Sequence, residues 1–185
     1  KDVANYEVSY RIFSLALILP LIVSTTVFPS LVELHKSGNQ QKFNAYFHKV
    51  FLMYLLYSLL AYTFFYSFSD YIIPFAFGEK YLENAYYTKQ MFLTVLIFPT
   101  ALLQANVLVA IHQERSDMWL NIISLGANVA FCFIGLYFYK SLTVINFSIF
   151  ASFLIFHICQ DVLLVKNKIA TLNHVVKFYF LTVVC

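Results

Sequence analysis

Charged residues in this chain are confined to the gaps between five long uncharged runs: Ile12 to Val32, Val50 to Ser69, Gln90 to Gln113, Met118 to Tyr139 and Ser141 to Gln160. The runs hold 21, 20, 24, 22 and 20 residues. A helix rises about 1.5 Å per residue, so about 20 residues match the roughly 30 Å hydrocarbon core of a bilayer. Backbone amides in lipid find partners only inside a helix or a closed barrel. Barrel strands alternate polar and apolar over about ten residues, whereas Phe51 to Tyr66 is apolar or aromatic almost without a break. The pattern therefore predicts an all-α, polytopic transmembrane bundle with spans at about 3–32, 50–69, 90–113, 118–139 and 141–160. A sixth uncharged run starts at Phe178 and is followed only to Cys185. That run, and a start at Lys1 without Met, predict a fragment: one transmembrane domain cut at both ends.

Composition sharpens the contrast with soluble domains. The chain is 61% hydrophobic and 11% charged with a mean hydropathy of +0.74, against about 25% charged residues in an ordinary soluble domain. The net charge of +3 comes with no basic block, so nucleic acid is not an expected partner. Cys132 and Cys159 lie inside spans and Cys185 in the last run, at spacings that suggest neither disulfides nor a metal site. No catalytic motif is present: there is no His-Glu-x-x-His, no Gly-x-Ser-x-Gly and no Gly-rich phosphate loop. The expectation is a non-enzyme without cofactor or metal.

Orientation follows from the loops. Spans alternate in direction, so the connections after the first, third and fifth share one side. They hold Lys36, Lys42, Lys49, Arg115, Lys166, Lys168 and Lys177, seven of the twelve cations, and cationic loops favour the cytoplasm. Phe43, Phe47 and Val50 recur at helical spacing among polar residues, which predicts an amphipathic lead-in along the membrane surface before the second span. Glu79 to Lys89, with Tyr81, Tyr86 and Tyr87, reads as an interfacial stretch on the opposite side.

Polar side chains within the spans are the candidates for function, because they face the bundle or a water-filled cavity rather than lipid. They are Gln104 and Asn106 in the third span, Asn121 and Asn128 in the fourth, and Asn146 and His157 in the fifth. Asn121, Ser124 and Asn128 share one helical face. Two readings stay open for them: hydrogen bonds between helices, or the lining of a hydrophilic passage. Phe28-Pro29 predicts the end of a first helix that starts near Val3, which places Arg11 about 12 Å in from the helix start. Arg11, Ser14, Ile18, Leu21 and Thr25 then form a stripe, but Glu7 stands one turn earlier in the order that favours an ion pair. Pro20 and Pro99 predict kinks.

The succession Tyr6-Glu7-Val8-Ser9-Tyr10-Arg11-Ile12, Leu19-Pro20, Val27-Phe28-Pro29-Ser30-Leu31, then Phe77-Gly78-Glu79-Lys80-Tyr81 with Ala85, and the Asn-bearing helix from Asn121 to Asn128, resembles the multidrug/oligosaccharidyl-lipid/polysaccharide flippase superfamily. It is most similar to the O-antigen and capsule repeat-unit flippases. The resemblance runs over nearly the whole chain and implies most of the C-terminal lobe of a MATE-like fold, helices eight to twelve of fourteen and the start of the thirteenth. It implies flipping of an undecaprenyl-pyrophosphate-linked oligosaccharide across a bacterial cytoplasmic membrane for surface polysaccharide assembly. The implied partners are that lipid-linked oligosaccharide, the bilayer, the N-terminal lobe of the same chain and the polysaccharide polymerase machinery. Arg11 corresponds to a cavity arginine directed at pyrophosphate, and a cation in a water-poor cavity binds phosphate strongly. Gln104, Asn106, Asn121 and Asn128 would line the cavity with it. The rivals are a cation-coupled multidrug antiporter and a non-transporting membrane assembly protein. Such antiporters need an embedded carboxylate, and none of the five runs contains one, which favours an anionic substrate.

Overall fold

The computed structural model describes the backbone of residues 2–184 and the side chains of residues 6–182. Among the described residues seven α-helices follow one another: α1 Asp2–Lys36, α2 Gln40–Phe77, α3 Asn84–Val95, α4 Phe98–Ala110, α5 Glu114–Phe138, α6 Leu142–Lys166 and α7 Leu172–Val184, with a 3-10 turn at Glu79–Tyr81. Among the described residues there is no strand. Five helical segments, α1, α2, α3 with α4, α5 and α6, are long and apolar enough to cross a membrane. The run from Phe178 lies inside α7, which is described as far as Val184.

The helices are longer than the uncharged runs, and the extra turns change the reading in three places. First, α1 does not stop at Phe28-Pro29 but continues to Lys36 through both Pro20 and Pro29. Pro20 has no N–H to give to the carbonyl of Ala16, one turn back. The Tyr57 hydroxyl of α2 donates to that carbonyl instead. Tyr57 of α2 thus supplies the donor that the proline removes, and the Tyr54 hydroxyl adds a second link by donating to the Pro20 carbonyl at 3.0 Å. Second, no separate surface lead-in precedes the second span. Residues 40–49 are the first turns of the continuous α2, whose start Asn39 caps by accepting from the Lys42 N–H at 3.0 Å. Phe43, Phe47 and Val50 are buried against Leu31, Val107 and Leu164, because a stripe of large aromatics stays longest out of water inside the bundle. Third, α6 passes Gln160 and takes in Asp161 before it ends at Lys166.

The third span is broken in two. At Leu96 and Ile97 the backbone tightens to N–H bonds three residues back, to Leu93 at 3.2 Å and Thr94 at 3.1 Å. Pro99 then occupies the first turn of α4, where a missing N–H costs nothing.

Two apolar cores hold the bundle. One, at the end where α1, α4 and α6 terminate, joins Leu31, Phe47, Phe51, Leu103, Val107, Leu164 and Phe178. The other joins Ile12, Ile73, Ala85, Phe92 and Val95, with Phe65 stacked on Phe92 at 4.1 Å between ring centroids. By contrast α5 leans on α6 and buries none of its residues fully. Gly135 lets the two helices approach, since a Cβ there would stand 2.4 Å from Cγ1 of Val144.

Candidate functional site

Between α1, α5 and α6 lies a groove of about 400 Å³, floored by Phe98 of α4. Tyr10, Phe13 and Leu17 line it from α1, at the spacing that puts them on one helical face. Asn121, Ser124 and Asn128 line it from α5, and Ser152, Phe153 and Phe156 from α6. Its polar edge is organised around Ser152. The Ser124 hydroxyl donates to the Ser152 carbonyl at 2.8 Å, and the Asn128 amide reaches the Ser152 hydroxyl at 3.4 Å. Ser152 is itself bound to the carbonyl of Ile149 at 2.8 Å. Asn121 is exposed and donates to the carbonyl and the carboxylate of Asp117, at 2.9 and 3.1 Å. The groove thus combines aromatic walls with amide and hydroxyl groups on one side.

The remaining sequence candidates stand elsewhere. Arg11 is exposed and pairs with Glu7 at 2.6 Å; it does not line the groove, although its neighbour Tyr10 does. Asn106 is half-buried and donates to the Ser24 hydroxyl, joining α4 to α1. Gln104 is fully buried and belongs to a second polar centre.

That centre is built on α6, one turn from its end. Asp161 is 4% exposed and His157 0%, four residues apart and therefore on one face. Gln104 of α4 donates to Asp161 Oδ1 at 2.7 Å. The Tyr179 hydroxyl of α7 donates to Asp161 Oδ2 at 2.8 Å. His157 Nδ1 stands 2.7 Å from the Tyr179 oxygen and 3.1 Å from Asp161 Oδ2, and its Nε2 is 3.1 Å from the hydroxyl of Thr100 on α4. Phe178 stacks on the imidazole at 4.6 Å. A carboxylate is embedded after all, contrary to what the uncharged runs imply: the fifth run ends at Gln160, and α6 carries Asp161, the next residue, into the bundle. The signal available in the sequence was His157 and Asp161 at i,i+4 beside an apolar run. Tyr179 and Thr100 carried no such signal, because hydroxyls are common in spans.

A third polar knot lies between α3 and α6, where Asn146 donates to Gln90 at 3.2 Å. Among the described residues no cluster of His, Cys, Asp and Glu suits a metal ion.

Comparison with known proteins finds no family model, no curated protein and no solved structure that matches this chain.

Proposed function

We propose that this chain is part of a membrane transporter that flips an undecaprenyl-pyrophosphate-linked oligosaccharide across a bacterial cytoplasmic membrane, its groove facing a second lobe. The observation that carries this reading is the groove itself. A multi-pass bundle needs no polar-edged groove for stability, and aromatic walls with amides on one side suit a polar, ring-bearing cargo. The packing of α5 supports the same view: none of its residues is fully buried, which leaves a face for lipid or for a second lobe. In this reading Arg11 attracts the pyrophosphate at the rim of the cavity, and Glu7 holds its guanidinium until the anion arrives.

The test is polysaccharide export in cells that depend on the full-length protein. Asn128→Leu, which keeps the branched shape and removes the amide, should abolish export at normal protein abundance. Arg11→Ala should do the same while Arg11→Lys retains part of it. Full export by both Asn128→Leu and Arg11→Ala would overturn the reading.

Asp161 favours a second reading, a cation-coupled drug exporter, since an embedded carboxylate is what such exporters need. Cells carrying the protein would then accumulate less of a cationic dye, and Asp161→Asn would restore accumulation, with polysaccharide export untouched.

A further inference from the structure

The hydrogen bonds around His157 leave one proton undetermined, and its place is fixed by counting donors. Thr100 has a single hydroxyl proton, and its contact with the carbonyl of Ile97 at 2.8 Å gives that proton an acceptor away from the ring. The Thr100 oxygen can then only accept, so His157 Nε2 carries a proton. On the other side of the ring, Nδ1 faces the Tyr179 oxygen at 2.7 Å and Asp161 Oδ2 at 3.1 Å. Tyr179 has one hydroxyl proton for two acceptors, Nδ1 and Oδ2. With Nδ1 unprotonated, one of these buried acceptors lacks a donor. With one more proton on the ring, Nδ1 donates, the tyrosine proton stays on the carboxylate, and Nδ1, the Tyr179 hydroxyl and Asp161 Oδ2 are all matched. The loaded centre is an imidazolium beside a carboxylate with no net charge. The empty one is a carboxylate in the bundle interior, held by Gln104 and Tyr179 alone, and a buried charge that loses its partner is costly.

We propose that His157 and Asp161 form a proton-binding site whose occupant fastens α7 to α6. Tyr179 is the link, since it is the α7 side chain that touches both. The surrounding elements bring few other titratable groups. From α7, His174 lies within electrostatic reach of both members, and its ring lies tilted at 4.6 Å from that of His48 of α2; Lys177 adds a further cation on the same helix. From α5, Asp117 accepts from Gln160 at 3.2 Å. Cys159 shares α6 and interacts with Tyr179. Thr100 and Gln104 of α4 do not titrate. The site stands whether the cargo is a glycan, a drug or neither.

The test is nitrogen NMR of the full-length protein in detergent micelles with 15N-labelled histidine, His157 being assigned by its loss in His157→Gln. Across a pH series, the ring nitrogens should report a doubly protonated imidazole in the loaded state and the neutral tautomer with hydrogen on Nε2 in the empty one. Exchange of the Phe178 and Tyr179 amides, corrected for its intrinsic pH dependence, should be at least threefold slower in the loaded state. In Asp161→Asn that exchange should no longer follow the protonation of the ring. A neutral tautomer with hydrogen on Nδ1, a ring that keeps one protonation state throughout, or exchange that does not follow the titration would overturn the proposal. The tautomer and the exchange are read on the wild-type protein, so they decide even where Asp161→Asn fails to fold.

Discussion

Tyr57 shows how a single hydroxyl carries a helix past a proline. It donates to the carbonyl that Pro20 leaves without a partner, in a place where water is not at hand to replace it. Tyr57→Phe keeps the ring and strands that carbonyl, which should cost about 1–3 kcal/mol, read as a lower midpoint of thermal unfolding in detergent micelles. An unchanged midpoint would mean that the helix satisfies the carbonyl by itself. Gly135 acts at the same scale through absence. Gly135→Val should destabilise by about 1–3 kcal/mol because Val144 is already where the new side chain must go. Adding Val144→Ala to that variant should recover most of the loss; no recovery would place the strain elsewhere. Both roles are invisible to composition: the sequence shows a proline and a glycine, but not which tyrosine or valine lies opposite.

Helix ends follow a shared design on the side where α1, α4 and α6 finish. Each is followed by a residue in left-handed conformation, Gly38 (φ 69°), His112 (φ 61°) and Lys168 (φ 57°). After α6, the Lys168 N–H bonds the Val165 carbonyl and the Ile169 N–H bonds the Leu164 carbonyl, both at 3.0 Å, with Ile169 and Leu164 buried in one core. This is the pattern that ends helices at a glycine. A non-glycine residue there is strained by about 1–2 kcal/mol, so Lys168→Gly should raise the midpoint of thermal unfolding, and His112→Gly likewise. A lower midpoint for both would show that the side chains matter more than the backbone. These ends explain what was readable and what was not. The uncharged runs located the five spans because lipid excludes charge from a helix surface. They could not locate the last turns, where charges resume: Glu33 and Lys36 of α1 are exposed, whereas Asp161 of α6 is buried inside the protein. Asp161 was missed for that reason, whereas the division of the third span at Ile97 was foreshadowed by Pro99. Pro20 and Pro29 carried the same signal without a break, because partners on α2 and the apolar surroundings hold α1 together.

For the molecule as a whole, the side on which the turns of Gly38, His112 and Lys168 lie holds seven of the twelve cations, and the preference of cationic loops would put that side in the cytoplasm. Single cysteines placed at Ser37 and Asn39 in a variant lacking native cysteines should react with a membrane-impermeant thiol reagent only after the membrane is opened. One placed at Glu83 should react in intact cells. The reverse pattern would invert the orientation without touching the fold. The candidate groove was half legible at this scale. Asn121 and Asn128 were readable as one face of a helix, while the aromatic wall from α1 and α4 depends on packing that no single helix announces.

The two tyrosine links between α1 and α2 also set what motion is permitted. Sliding either rod by a single turn would pull two phenol groups off their acceptors and leave the Ala16 carbonyl without a donor. That pair must therefore travel as one rigid body. Across α5 the corresponding ties are few and lie along one seam, so any rearrangement of the bundle should swing α5 first.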